Sequence, residues 1–412
     1  MKKLIAIDRP RAGVPVRSYD GWLEVSGWAA AGEPVRDIRV RFGDGAWARA
    51  VHCQPRPDVL AAYPKLPGAA RSGFQAFVET AGDRSELEVV VTCGSKGTTY
   101  GQTARISSEV REIEVADTTA APCAWCGAEG RRLDEAVARG PFRLVTCPRC
   151  DFGLAEPLPA AHALGAIYET EYWDHAPLGP DVLSPSADTE LVCGFLDRFG
   201  NGGRRVLEVG CGQGTLLFGL HQRGLDVRGQ DLSSNSARAL EQSRGVRIWR
   251  QPITSIATDE RFDCILTRHV IEHSITPRLD FDWMRDHLAP GGILVLWTPN
   301  RRSLAAEILG STWEWFVPPI HVGYFSSRSL RCIADVAGLR LRHLTTREGD
   351  GAPLLPSLRA FMDYEGELLP EWQRRRCLDL VSGAGGGFES MMAAGGAAAG
   401  LGQELIAVLT AI

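Results

Sequence analysis

Nothing in these 412 residues approaches the run of about 18 apolar side chains that a membrane-spanning helix requires. The opening Met1-Lys2-Lys3 is basic, but the apolar stretch behind it ends at Asp8, too short for the core of a signal peptide. The expectation is a cytoplasmic protein without a membrane span, whose 11 cysteines are reduced or metal-bound rather than paired as disulfides. Positive charge is not in excess either. The 45 Lys and Arg face 50 Asp and Glu, a net charge of -5 that gives no general attraction for polyanions and argues against nucleic acid as a partner. Composition says nothing of oligomeric state.

What is present fits an ordinary globular chain, 44% hydrophobic and 23% charged, but one longer than a single core usually organises. Residues 1–115 carry short alternating runs such as Trp22-Leu23-Glu24-Val25, Ile38-Arg39-Val40-Arg41-Phe42 and Leu87-Glu88-Val89-Val90-Val91, split by turn signals such as Gly43-Asp44-Gly45. This pattern predicts an all-β, sandwich-like accessory domain, with no catalytic cluster in it. Residues 107–122 read as a linker into a cysteine-rich unit spanning 116–160. From 161 to 412 strands and helices alternate, which predicts an α/β domain around a mostly parallel sheet. Strands are expected at 205–209, 226–231, 246–250, 263–268, 292–298, 339–346 and 403–411, and helices at 214–223, 235–244, 277–288 and 327–337. Two inserts interrupt the rhythm: an aromatic one at 301–325, and a helical and glycine-rich one at 347–402 whose glycine content raises the entropy cost of ordering.

Cys123-x-x-Cys126 and Cys147-x-x-Cys150, twenty residues apart, have the spacing of two knuckles that bring four thiolates to one zinc ion. Four protein sulfurs close the coordination sphere, so such an ion is structural and offers no open position for catalysis.

The run Val206-Leu-Glu-Val-Gly-Cys-Gly-Gln-Gly214 is an apolar strand leading into alternate glycines. Glycine allows a tight turn and a close approach of backbone to ligand. A dinucleotide fingerprint would place its third glycine at position 215, where this chain has Thr215, and an acidic residue, Glu208, precedes the first glycine. These residues resemble the first motif of the class I S-adenosylmethionine-dependent methyltransferases. Arg261-Phe-Asp-Cys-Ile-Leu-Thr-Arg-His-Val-Ile-Glu-His273 resembles that family's fourth strand, and Leu288 to Asn300 its next helix, turn and strand. Trp313 to His321 and Phe325-Ser-Ser-Arg-Ser-Leu330 resemble a branch that carries an upstream zinc ribbon and includes enzymes acting on sugars and small molecules. The resemblance implies a Rossmann-like fold with a seven-stranded, mostly parallel sheet, S-adenosylmethionine as cofactor and a structural zinc.

The same resemblance implies roles for particular residues. Glu208, Gly210, Cys211, Gly212 and Gly214 would line the methionine part of the cofactor, with Glu208 toward its amino end. Asp231, beside Leu232, would accept the ribose hydroxyls. Thr267 and Arg268 would pass near the sulfonium, and an aromatic such as Tyr172, flanked by Tyr168 and Trp173, would close over the cofactor. Gln251-Pro-Ile253 departs from the family, which usually has an acidic residue near here for the adenine amine. For the reaction itself His321 is the first candidate base, expected on a lid opposite the glycine loop. His269 and Glu272 are further candidates, with Glu272 and His273 expected to begin a helix. Arg131-Arg132, Arg301-Arg302 and Arg374-Arg-Arg376 could meet phosphates of a nucleotide sugar or could be solvated faces. The expected activity is methyl transfer to a small-molecule or glycan acceptor, a sugar hydroxyl foremost. The alternatives are an NAD-dependent nucleotide-sugar oxidoreductase and a non-catalytic protein that kept the cofactor pocket.

Overall fold

In the computed structural model, residues 4–412 are described except 11–15, 32, 34, 55, 67, 81–85, 95–96, 106–109, 117, 119–120, 161–185, 187, 234–236 and 349–399. Near-continuous apolar runs build a sheet covered on both faces, as parallel sheets require. Its strands are Arg205–Val209 (β1), Asp226–Gln230 (β2), Arg247–Trp249 (β3), Phe262–Arg268 (β4), Leu288–Pro299 (β5), Leu339–Arg347 (β6) and Glu404–Ala411 (β7). The order is β3-β2-β1-β4-β5-β7-β6. Strands β1 to β5 pair in parallel, whereas β7 runs antiparallel to both of its neighbours. β5 starts earlier than expected, at Leu288, through a register shift against β4 between Phe262 and Cys264.

Helices Thr189–Phe199 (α1), Thr215–Gln222 (α2), Arg238–Arg244 (α3), Pro277–Asp286 (α4) and Ser327–Val336 (α6) cover the faces of this sheet, whereas Leu304–Leu309 (α5) packs with Leu144 and Ala155 of the cysteine-rich unit. Pro277 sits where its missing N–H costs nothing, and Ser326 with Ser329 forms a reciprocal cap on α6. One face buries Val206, Leu216, Leu220, Val227 and Leu240, and the other Leu207, Ile265, Phe281, Leu294 and Ile333. No helix among the described residues is long and apolar enough to cross a membrane.

The N-terminal residues form two sheets. One has the order Val110–Ile113, Val16–Tyr19, Trp22–Ala30, Gly73–Glu79, Val51–Gln54, with Leu4–Arg9 also pairing onto Trp22–Ala30. The other has the order Ala48–Arg49, Val35–Phe42, Glu86–Cys93, Thr98–Arg105. Leu23, Val25 and Val78 from the first meet Ile38, Val40, Leu87 and Val89 from the second, the inward half of each alternating run. The stretch expected to be a linker is instead woven into sheets. Val110–Ile113 pairs in parallel with Val16–Tyr19, and Val115–Ala116 pairs with Leu158–Pro159. Its few apolar residues hid two strands too short to show a period.

The cysteine-rich unit packs directly on the central fold. Trp125 stands edge-on to Phe281 of α4 at 5.3 Å, and Phe152 edge-on to Phe325 at 5.2 Å. Its sheet, Arg132–Arg139, Phe142–Thr146 and Gly153–Glu156, takes Gly323–Tyr324 as a fourth strand, so the aromatic insert is stitched to it.

Candidate functional site

In open α/β sheets ligands bind outside the carboxyl ends of the strands where the order reverses. Here that point lies between β1 and β4, and a cavity of about 720 Å³ opens there. Glu208, Gly210, Cys211, Gly212, Asp231, Leu232, Thr267, Arg268 and His269 all line it. The glycines are required by geometry: Gly210 has φ +67°, and a Cβ there would stand 2.2 Å from Cγ2 of Val270 in the loop after β4. Gly214 has φ +79°, and ends the loop as α2 begins.

Two carboxylates face this cavity with different partners. Asp231 accepts N–H bonds from Gly212 at 2.8 Å and Ser233 at 2.9 Å, which fixes its orientation and leaves lone pairs for a diol. Glu208 is 4% exposed and its Oε2 has no hydrogen-bond partner among the described residues. Burial pushes its carboxyl up to about 8, Arg268 opposing and Asp231 adding to the rise. A buried, unpartnered acceptor beside a glycine loop suits a cationic ligand group such as an α-ammonium. Cys211 is buried, and burial followed by the charges of Asp231 and Glu208 raises its thiol, so it is a small wall residue and not a nucleophile. Beyond β2, the Gln251 carbonyl accepts from Gln230 Nε2 at 2.8 Å, while Pro252 and Ile253 supply an apolar wall to the cavity.

The loop after β4 carries the titratable cluster. Ile271–His273 is a single 3₁₀ turn and not the start of a helix; α4 begins only at Pro277. His269 adopts φ +54°, uncommon for a side-chain-bearing residue, and its ring stacks on Trp315 at 4.9 Å and 2°. It bonds Glu404 on β7 at 2.9 Å and lies 3.5 Å from Glu272. Burial opposes its charge, but Glu272 and Glu404 outweigh burial and lift the imidazole to about 9. His269 is therefore an imidazolium at neutral pH and cannot accept a proton there. Arg347 links Glu404 at 2.7 Å to Asp188 at 2.7 Å, and Asp188 returns to Arg268 at 2.6 Å. This ring of charges ties the loop to β7, β6 and the start of α1. Sequence reasoning missed it, since its members lie 57 to 159 residues apart where they cross elements.

Glu272, His273 and His321 bring their ligand atoms within 4.8 Å of one another. His273 lines the cavity; His321 and Glu272 do not, being 3% and 1% exposed. The expectation of His321 on an open lid is thus corrected: the insert folds inward and His321 packs behind His273, ring centroids 4.7 Å apart. Burial lowers both imidazoles, His321 to about 3 with His273 adding to the fall, so both are neutral. Each Nδ1–H donates to a carbonyl of the insert, His273 to Ile320 at 3.0 Å and His321 to Trp315 at 2.8 Å, which leaves the proton-accepting lone pair on Nε2. Only one signal in the sequence pointed to His273, its place after the fourth strand.

The four ribbon cysteines also converge within 4.8 Å, with Cys123 and Cys150 sulfurs 3.6 Å apart and Cys126 and Cys147 3.5 Å apart. A tetrahedron with metal–sulfur bonds of about 2.3 Å has edges of about 3.8 Å, so the donor set fits zinc, and it is far too open for disulfides. Arg301 and Arg302 are engaged with Asp151 at 2.5 and 2.8 Å, and Arg131 with Glu156 at 3.1 Å, each a pair within the chain. Tyr168, Tyr172, Trp173, Arg374 to Arg376 and most of the Gly/Ala segment lie outside the described residues.

A family model described as a methyltransferase domain matches residues 186–344. A ubiquinone biosynthesis O-methyltransferase of Psychrobacter arcticus is 32% identical over 190 residues, 39% of this chain and 74% of that protein. One of Cereibacter sphaeroides is 35% identical over 129 residues, 29% of this chain and 52% of that protein, so the chain spans about half the length of some curated relatives it matches. Among solved structures, an S-adenosylmethionine-dependent methyltransferase from Archaeoglobus fulgidus is 18% identical, covering 54% of this chain and 93% of that one, with a TM-score of 0.35.

Proposed function

The chain belongs to the class I S-adenosylmethionine-dependent methyltransferases, and we propose that it transfers the methyl group to an oxygen of a small-molecule or glycan acceptor, a sugar hydroxyl foremost. The observation that carries this reading is the shared cavity: the glycine loop, Glu208 and Asp231 lie on one side and a neutral imidazole, His273, on another. The cofactor, when bound, supplies an activated methyl on a positively charged sulfur. The chain has to align the acceptor, exclude water and take one proton. Methylating a hydroxyl breaks its O–H bond as the O–CH₃ bond forms, and His273 Nε2 is the acceptor we assign for that proton. Glu272, buried beside both histidines, compensates the positive charge this creates; His321 stands behind as the second imidazole of the pair. The relatives named above are O-methyltransferases, which favours oxygen over nitrogen. A dinucleotide oxidoreductase fits less well, because antiparallel β7 between β5 and β6 departs from the order 3-2-1-4-5-6 of that fold and Thr215 stands where it needs glycine. We further assign residues 1–115 to a β accessory domain, 116–160 to a zinc ribbon and 161–412 to the methyltransferase domain.

The direct test incubates the chain with S-adenosylmethionine and separate panels of nucleotide sugars, free sugars, phenols and amines, and reads S-adenosylhomocysteine and the methylated product by mass spectrometry. An N-methylated product, or no turnover on any hydroxyl, rejects the oxygen assignment.

Cofactor binding is testable without an acceptor. Asp231→Ala is expected to weaken S-adenosylhomocysteine by about 1.5–3 kcal/mol, the scale of a charge-assisted hydrogen bond, in titration calorimetry. Equal affinity in the mutant removes Asp231 from ribose binding. Glu208 gives a pH signature. Its carboxyl, lifted to about 8 in the free chain, must lose its proton to receive an ammonium. Affinity is therefore expected to rise by about tenfold per pH unit from pH 6 toward 8 and then level, with Glu208→Gln flat over that range. A parent profile as flat as the mutant's puts the ammonium elsewhere.

A further inference from the structure

The segment that holds the two neutral histidines is gripped from its other side by the N-terminal sheets. Within residues 311–316, Ser311, Glu314 and Phe316 meet Arg71 or Arg139, whereas Trp315 meets the histidines. Glu314 pairs with Arg71, whose side chain comes from the 3₁₀ turn Ala69–Arg71 just before the strand Gly73–Glu79. The carbonyl of Ser311 accepts from Arg139 at 2.7 Å, and the same guanidinium lies 5.8 Å from the Phe316 ring and donates to Gln75 of the N-terminal sheet at 3.1 Å. Gln75 in turn donates to Glu24 at 2.8 Å. Arg139 is 4% exposed, and Glu314's side chain is 8% exposed, so neither charge can leave its partner for water without the whole contact opening. Between these anchors, Trp315 turns the other way: its carbonyl accepts from His321, and its ring lies on His269. A few residues on, the Ile320 carbonyl accepts from His273 and the Val322 amide donates to the Glu272 carbonyl at 2.8 Å.

We infer that the N-terminal β layer is a positioning element of the acceptor site, acting on segment 311–322 directly through Arg71 and, by way of Gln75, through Arg139 of the cysteine-rich unit's sheet, to set the tautomer and orientation of His273 and His321. The inference rests on reading those two histidines as the proton-handling pair. A carbonyl on Nδ1–H makes Nε2 the basic atom; if the segment shifts, the Nδ1–H loses its acceptor and the two tautomers equilibrate. The accessory sheets therefore build part of the site from behind, in addition to whatever they bind on their own surface.

The test uses the full chain labelled with ¹⁵N-histidine, the His321 and His273 ring signals being assigned from His321→Gln and His273→Gln. Arg71→Glu, Glu314→Arg, their double variant and Arg139→Met are compared. The expected result is that each single variant moves the His321 ring nitrogens from the Nδ1–H pattern toward an averaged one, and lowers turnover by about tenfold or more with S-adenosylhomocysteine affinity within about twofold. The charge-swapped double variant is expected to restore both readings. Unmoved histidine signals in the single variants overturn the inference. So does loss of cofactor affinity together with the ring signals and without rescue in the double variant, since the contacts would then only hold the fold. The ring signals need no acceptor, so a parent chain that transfers no methyl group would reject the functional reading while leaving this one to be decided by the spectra.

Discussion

Turnover of His273→Ala is expected to fall by roughly 10²–10⁴-fold, while affinity for S-adenosylhomocysteine stays within a few-fold of the parent. The size follows from losing a positioned proton acceptor, and the selectivity from where His273 stands, on the cavity wall beyond the glycine loop. The acid limb of the pH profile carries an independent signature. A base works only when deprotonated, and burial lowers His273 below the ordinary histidine value, so turnover at saturating cofactor should persist as the pH drops past 6.5 and fail at lower pH. His321→Ala should also be costly, because it removes the ring packed against His273 and leaves Glu272 without one of its three imidazole neighbours. The two variants separate the roles. If His321→Ala alone abolishes turnover and His273→Ala stays within a few-fold of the parent, the buried ring is the base; if both stay within a few-fold, the acceptor needs no base and the hydroxyl reading falls with it.

How much of this was legible in the residues depends on how local the cause is. The glycine loop was legible because a chain turning from strand to helix at Gly210 and Gly214 needs positive φ at fixed spacing, whatever surrounds it. Asp231 was legible because the end of a strand in such a sheet faces the cavity. The C-terminal strand was readable from its apolar run, but its place between β5 and β6 was not, since that depends on pairing with segments far off in the chain. The burial of His321 belongs to the same class. An insert rich in Trp and Pro reads as a lid, and the contacts that hold it inward are distant in the chain, among them those of Arg71 and Arg139, 243 and 172 residues from their partners. The imidazolium at His269 needs Glu404, 135 residues away, and no local pattern announces it.

Removing zinc is expected to have the largest effect on the fold. Elemental analysis of protein prepared without chelator should find about one zinc per chain, and Cys147→Ser should lose it. The knuckles are preset by backbone geometry. Cys123 N–H bonds the Ala128 carbonyl and Gly127 N–H the Cys123 carbonyl, each at 2.9 Å; Cys147 and Asp151 repeat the pattern with Phe152, also at 2.9 Å. Gly127 and Asp151 take the positive φ that each knuckle requires. Ordering this loop-rich unit costs entropy that its small core does not offset alone, and structural zinc contributes about 10–16 kcal/mol in isolated peptides. The loss would not stay local. Trp125 and Phe152 pack on Phe281 and Phe325, in one core with Leu207, Ile265 and Ile333 from the central sheet and α6. Releasing the ion therefore opens one covered face of the methyltransferase fold. With about 2–4 °C of melting temperature per kcal/mol for a domain of this size, chelation should lower the transition by well over about 10 °C and reduce cofactor affinity with it. A chain that carries no zinc and melts unchanged with chelator would reduce the four cysteines to buried thiols, and the packing of Trp125 and Phe152 alone would have to hold the unit in place.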